Sequence, residues 1–244
     1  MSWLTWAQLE AATGAGVRVA VIDSGVDTTH PALTGVVNAR WTVELEWEQF
    51  PTVKASELGD AFGHGTAVAW IVRQMAPQAI IDSIRVLDGA LRSSTPKVAH
   101  AMQWAVRQGF DVINCSFGAS SERYLQSYKA SVDAAFCSRS ILVAACNNRD
   151  YRTPEYPGAF PTVVSTDFGA FDGLRFARRQ GALVEFVSRG VDLQVPWKGG
   201  ATRTVSGSSF AAPHLAGLVA RIKQLRPEWN AVQVKAQLYA LANQ

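Results

Sequence analysis

Val19-Ala-Val-Ile-Asp-Ser-Gly-Val26 places four apolar residues ahead of an acid and a Ser-Gly turn. A run that is apolar at every position has no solvated face. It reads as a strand covered on both sides, the kind found in parallel sheets sandwiched by helices. Further β-branched runs occur at 18–22, 80–86, 112–114, 141–145 and 161–165. Helical spacing of apolar residues fills 65–75, 96–108, 121–138, 209–226 and 230–242, the last opening on Asn230 with Gln233 three residues on. The alternation predicts a three-layer α/β/α fold with a central, mostly parallel sheet, in one domain over residues 1–244. Two windows break the pattern, 36–62 and 166–206. Their mixed charge, Trp, Gly and Pro predict surface hairpins and loops, where such folds keep binding residues.

Composition narrows the function. The chain has 244 residues, 48% of them hydrophobic and 18% charged, enough for one large core. Lys and Arg exceed Asp and Glu by only three, and the basic residues are scattered, so no phosphate-gripping block exists and a nucleic-acid partner is not expected. The longest apolar runs fall far below the roughly 20 residues of a spanning helix, so no membrane association is expected either. Met1-Ser-Trp-Leu-Thr-Trp lacks the basic and apolar regions of a secretory leader. Three cysteines without framework spacing read as free thiols in a reducing compartment, and a cytoplasmic location is the expectation.

Chemistry-bearing residues gather in three short segments. Asp23 ends the first strand, at the sheet edge where ligands bind in open parallel folds. His64 lies between two glycines in Asp60-Ala-Phe-Gly-His-Gly-Thr, just before a helix. In Ser206-Gly-Ser-Ser-Phe-Ala-Ala-Pro213 the proline fits only a first helical turn, which puts Ser208 and Ser209 at a helix mouth. An Asx turn, a surface His and a Ser cap would explain each segment singly. Together they supply a nucleophile, a base and a carboxylate to orient the base, in the order Asp, His, Ser. That order differs from the α/β-hydrolase order, and Gly-x-Ser-x-Gly is missing. Gly14-Ala-Gly16 precedes its strand instead of following it, which removes a nucleotide-binding reading. The four histidines show no metal-ligand spacing, so no metal or other cofactor is expected.

With these segments in view, the chain resembles the subtilisin-like serine proteases, the subtilases. The likeness extends through Asp27-Thr-Thr-His-Pro31, Asp111-Val-Ile-Asn-Cys-Ser-Phe-Gly118, Tyr156-Pro-Gly158 and Pro213-His-Leu-Ala-Gly217. The resemblance implies a serine endopeptidase acting through an acyl-enzyme on peptide or protein substrates. It makes Asp23 the orienting acid, His64 the general base, Ser209 the nucleophile and Asn147 the oxyanion donor. Substrate would lie as a strand along Ser116, Phe117 and Gly118. Phe117, Val98 and Thr95 would line the subsite four residues before the cut, and Ala144, Ala145 and Cys146 would wall the one just before it. Some members keep these groups apart until a partner arrives, so an activator or inhibitor protein belongs among the implied partners. A peptide-binding relative without catalysis is the alternative.

The departures from the family pattern carry expectations too. Ser208 takes the place of a usual Thr and keeps the hydroxyl, while Cys146 takes the place of a Gly and makes that wall bulkier. Glu155 stands where the family has the bottom of the pocket before the cut, which implies a preference for Arg or Lys there and leans the role toward peptide processing. The helix after His64 leaves no room for the calcium loop of extracellular relatives, and Ala32 replaces its acid, so that site is not expected. No inhibitory prodomain precedes the core in this sequence, which suggests an intracellular enzyme, or a secreted one whose prodomain was removed or is supplied elsewhere.

Overall fold

β1 (Arg18–Asp23) forms from that first stretch, with every residue after Arg18 buried. The computed structural model describes residues 2–46 and 50–242. The middle of the 36–62 window and the ends of the expected 1–244 domain lie outside the described residues. β4 (Ile80–Arg85) and β5 (Val112–Cys115) flank β1 in parallel. β6 (Ile141–Ala145), β7 (Val164–Gly169) and β9 (Phe186–Arg189) continue outward beyond β5, all parallel. On the other side β2 (Val37–Glu46) runs parallel to β4. Antiparallel β3 (Phe50–Ala55) and the short β8 (Ala177–Arg178) close the two edges. The order is therefore β3-β2-β4-β1-β5-β6-β7-β9-β8. A separate antiparallel hairpin joins β10 (Leu193–Trp197) to β11 (Ala201–Val205).

Six helices accompany these strands among the described residues: α1 (Trp6–Ala11), α2 (His64–Met75), α3 (Thr95–Arg107), α4 (Leu125–Ser138), α5 (Ser208–Leu225) and α6 (Ala231–Ala242). Successive strand residues point to opposite faces, and β1 feeds both. Val19 and Val21 pack with Val68 and Val72 of α2 and Leu215 and Leu218 of α5. Ala20 and Ile22 pack with Val98 and Met102 of α3 and Val132 of α4. Each such buried Val, Leu or Ile contributes roughly 1.5–3 kcal/mol, which holds the helix layers on the sheet. The three-layer α/β/α architecture with a mostly parallel sheet is the one expected.

Local signals are borne out at several ends. Asn230 Oδ1 accepts from the amides of Val232 and Gln233, and Gln233 Oε1 accepts from the Asn230 amide, closing a capping box on α6. Other expectations need correction. The strand placed at 161–165 starts at Val164, because Val163 N closes a turn onto Phe160 O, and it runs on to Gly169. The windows 36–62 and 166–206 are not only hairpins and loops. They supply β2, β7 and β9 to the main sheet, with the rest of their strands on its edges or in the β10–β11 hairpin. None of the described helices is long and apolar enough to cross a membrane.

Buried cations tie the ends of the chain to the sheet. Arg221 of α5 donates to the carbonyls of Leu9, Glu10, Ala12 and Met75, pinning α1 and the end of α2. Lys235 of α6 donates to Pro161 O and Val163 O and pairs with Glu185. Gln237 exchanges two hydrogen bonds with the backbone of Leu4.

Candidate active site

Asp23 sits at the carboxyl end of β1, between β4 and β5, where the strand order reverses and an open sheet presents a crevice. It is fully buried. Its two carboxylate oxygens each lie 2.9 Å from His64 Nδ1, and Oδ1 also accepts from the Ser24 amide at 2.7 Å. His64 opens α2. Its Nε2 lies 2.9 Å from Ser209 Oγ, with the Phe210 ring at 4.9 Å on one side. Ser209 is the second residue of α5, in a first turn whose amides lack intrahelical acceptors. Asp23, His64 and Ser209 thus form one continuous hydrogen-bonded relay.

Electrostatics suit the imidazole to its place. Burial alone would depress the His64 pKa. The charge and hydrogen bond of Asp23, helped by the charge of Asp60, outweigh burial and hold it above the ordinary value. Asp60 has a part that sequence reading missed. Its Oδ1 accepts from Ser24 Oγ and the amides of Phe62 and Gly63, and its Oδ2 accepts from the amide and hydroxyl of Thr66. It therefore caps α2, whose formal cap, Gly63, has no side chain. The signal was an Asp just ahead of a helix start. Gly63 has φ +119°, and a Cβ there would meet the Trp197 indole nitrogen at 2.2 Å. The β10–β11 hairpin thus lies over the turn that presents His64.

Asn147 follows β6. Its Oδ1 accepts from the amides of Arg149 and Asp150, and its side-chain nitrogen donates to no described residue. Asn148, not singled out from the sequence, accepts the Ser208 amide on Oδ1 at 2.8 Å. Ser208 Oγ donates to the Cys146 carbonyl at 2.7 Å. The Asn147-Asn148 turn therefore grips the turn that carries Ser209. Adjacent asparagines after a strand gave no means of telling these tasks apart. Nor does Ser208 or Ser209 cap α5; that position is Gly207, and both serines lie inside the first turn.

Part of the expected cleft shares one cavity. Thr95, Val98, Phe117 and Gly118 share a cavity of about 640 Å³ with Leu87, Leu91 and Tyr128. Among the described residues no backbone hydrogen bond outside the ladders involves Ser116, Phe117 or Gly118, whereas the next residue, Ala119, pairs with Tyr156 in both directions. Ala144, Ala145 and Cys146 are buried at the end of β6. The Cys146 thiol lies 3.7 Å from Asp167 Oδ1, and burial, with the Asp167 charge, pushes its pKa up to about 12. Glu155 packs on Gly118, where a Cβ would stand 2.6 Å from its Oε2. Burial raises its carboxyl pKa against one hydrogen bond from Ser120. It makes no ion pair among the described residues.

The sequence model of the Subtilase family matches residues 14–243. The chain belongs to the subtilase family. It is 30% identical to M-protease of Shouchella clausii (strain KSM-K16), over 93% of this chain but 59% of that protein. To Subtilisin BL of Lederbergia lenta it is also 30% identical, over 93% of this chain and 83% of that protein. Among solved structures, a cold-adapted subtilisin-like serine proteinase superposes with a TM-score of 0.75 at 25% identity, covering 92% of this chain and 81% of that one. A psychrophilic protease, S41, gives a TM-score of 0.76 at 25% identity over 96% and 88%. In this subtilase the relay joins the same three segments on which the resemblance rested.

Proposed function

We propose that the chain is a serine endopeptidase that cuts peptide bonds through an acyl-enzyme. The observation that carries this is the Asp23–His64–Ser209 relay, with each link at 2.9 Å. Ser209 Oγ attacks the scissile carbonyl carbon as His64 Nε2 takes its proton, and Asp23 steadies the imidazolium. The oxyanion is met by the Asn147 side-chain amide and the Ser209 backbone N–H. Loss of one such donor in subtilisin costs about 10²–10³ in turnover. His64 returns the proton to the leaving amine, and water, deprotonated by His64, frees the acid from Ser209. Substrate adds as a strand along the open backbone of Ser116, Phe117 and Gly118.

Specificity is part of the same reading. Glu155, half-buried, without an ion pair among the described residues and set against Gly118, supports a preference for Arg or Lys before the cut, and with it a processing role. Free thiols at Cys115, Cys137 and Cys146 support an intracellular setting.

Intact mass after treatment with a fluorophosphonate tests the central claim. One adduct on the wild-type chain and none on Ser209→Ala is expected. No adduct on folded protein would overturn an assembled triad and leave a silent peptide-binding relative.

A further inference from the structure

A second cavity, of about 450 Å³, opens between α2, α5, β9, β10 and the 173–174 turn, and none of Asp23, His64 or Ser209 lines it. Its charge is unbalanced. Arg189 is partly buried and makes no side-chain hydrogen bond or ion pair among the described residues. Arg221 is 9% exposed and spends Nε and Nη1 on carbonyls, while Nη2 has no acceptor among the described residues. The acid on the wall, Glu10, lies 3.6 Å from a third guanidinium, Arg175. His214 adds no positive charge, since burial, with Arg189 nearby, holds it neutral with a pKa pushed down to about 4. The cavity walls thus carry two guanidiniums and one carboxylate, and that carboxylate also pairs with Arg175 outside them.

The remaining walls are the apolar Trp70, Ile71, Met75, Leu174 and Leu193, with the amides of Gln74 and Gln194 among them. Arg189, half-buried and without a side-chain partner among the described residues, can take a bidentate anion, to which Arg221 Nη2 adds a further donor. An anion alone would leave the apolar walls against water. We infer that this cavity binds a small amphipathic carboxylate, its head between Arg189 and Arg221 and its hydrocarbon body against Trp70 and Leu193. The inference stands apart from the proteolytic reading, because it uses no residue of the relay or the cleft.

Titration of isotope-labelled protein with sodium hexanoate, followed at the Trp70 indole resonance assigned through Trp70→Phe, tests it. A saturable shift in the millimolar range is expected, with hexanol and acetate moving the resonance much less at equal concentration. Arg189→Gln should weaken hexanoate by about tenfold or more, the worth of a charge-assisted pair. Leu174→Glu, which sets a competing carboxylate at the mouth, should abolish the shift, and it keeps the test decisive where Arg189→Gln fails to fold. No movement with hexanoate, an equal response to hexanol, or unchanged affinity in either folded variant would overturn the inference.

Discussion

At the scale of single residues, His64 sets the pH dependence. Its pKa is raised because Asp23, with Asp60, outweighs the burial that would lower it. Protonated His64 cannot accept from Ser209, so activity is lost below that raised value and recovered above it. The acid limb of kcat/KM should therefore lie above the ordinary His value of about 6.5. Asp23→Asn should move the limb downward, since burial then meets only the charge of Asp60, and lower kcat by roughly 10⁴-fold. A limb that stays put in that variant would remove the Asp23 link. Glu155 sets a second expectation. Glu155→Gln should lower kcat/KM for substrates with Arg or Lys before the cut by about tenfold or more, while others change little. Equal losses across a substrate panel would place Glu155 outside the specificity pocket.

Among elements, α2 and α5, the helices that present His64 and Ser209, approach each other closely. A Cβ on Gly217 would lie 2.3 Å from Met75 Cβ. Gly217→Ala should destabilise by about 1–3 kcal/mol through overpacking, read by denaturant unfolding, and lower turnover because the helices cannot separate without moving the relay. Lys235→Met should cost about 3 kcal/mol in the same measurement, since Glu185 loses its cation and two carbonyls of the 160–163 turn lose their donor. The elements also mark what the sequence discloses. β1, β5 and β6 are legible because both faces are covered and their runs are apolar apart from Arg18 and Asp23 at the ends of β1 and Asn114 in β5. β2 is harder to see, although Trp41, Val43 and Leu45 alternate with Thr42, Glu44 and Glu46. Near an edge, half-exposed residues tolerate charge, and charge resembles a loop. β9, bearing Ser188 and Arg189, is hidden likewise. The relay is legible from three short segments. Asp60, Asn148 and Trp197 are not, because their tasks arise only when distant turns meet.

For the whole molecule, metal dependence is the informative test. α2 runs without interruption from His64 to Met75, so the loop that would hold calcium in extracellular relatives has no place in it. The melting temperature should be the same with and without EDTA, and a large fall would reveal a cation supporting the fold. The geometry of the relay has a further consequence. His64 and Ser209 stand 145 positions apart and meet only when α2 and α5 are packed together on the sheet. The turn that carries Ser209 is in addition held by Asn148, and the turn that carries His64 by Trp197. On the proposed reading, a chain emerging from the ribosome with Asp23 and His64 already made would therefore be harmless to its neighbours. Any capacity to cut would require both helices to be seated, and a copy in which they part would lose it.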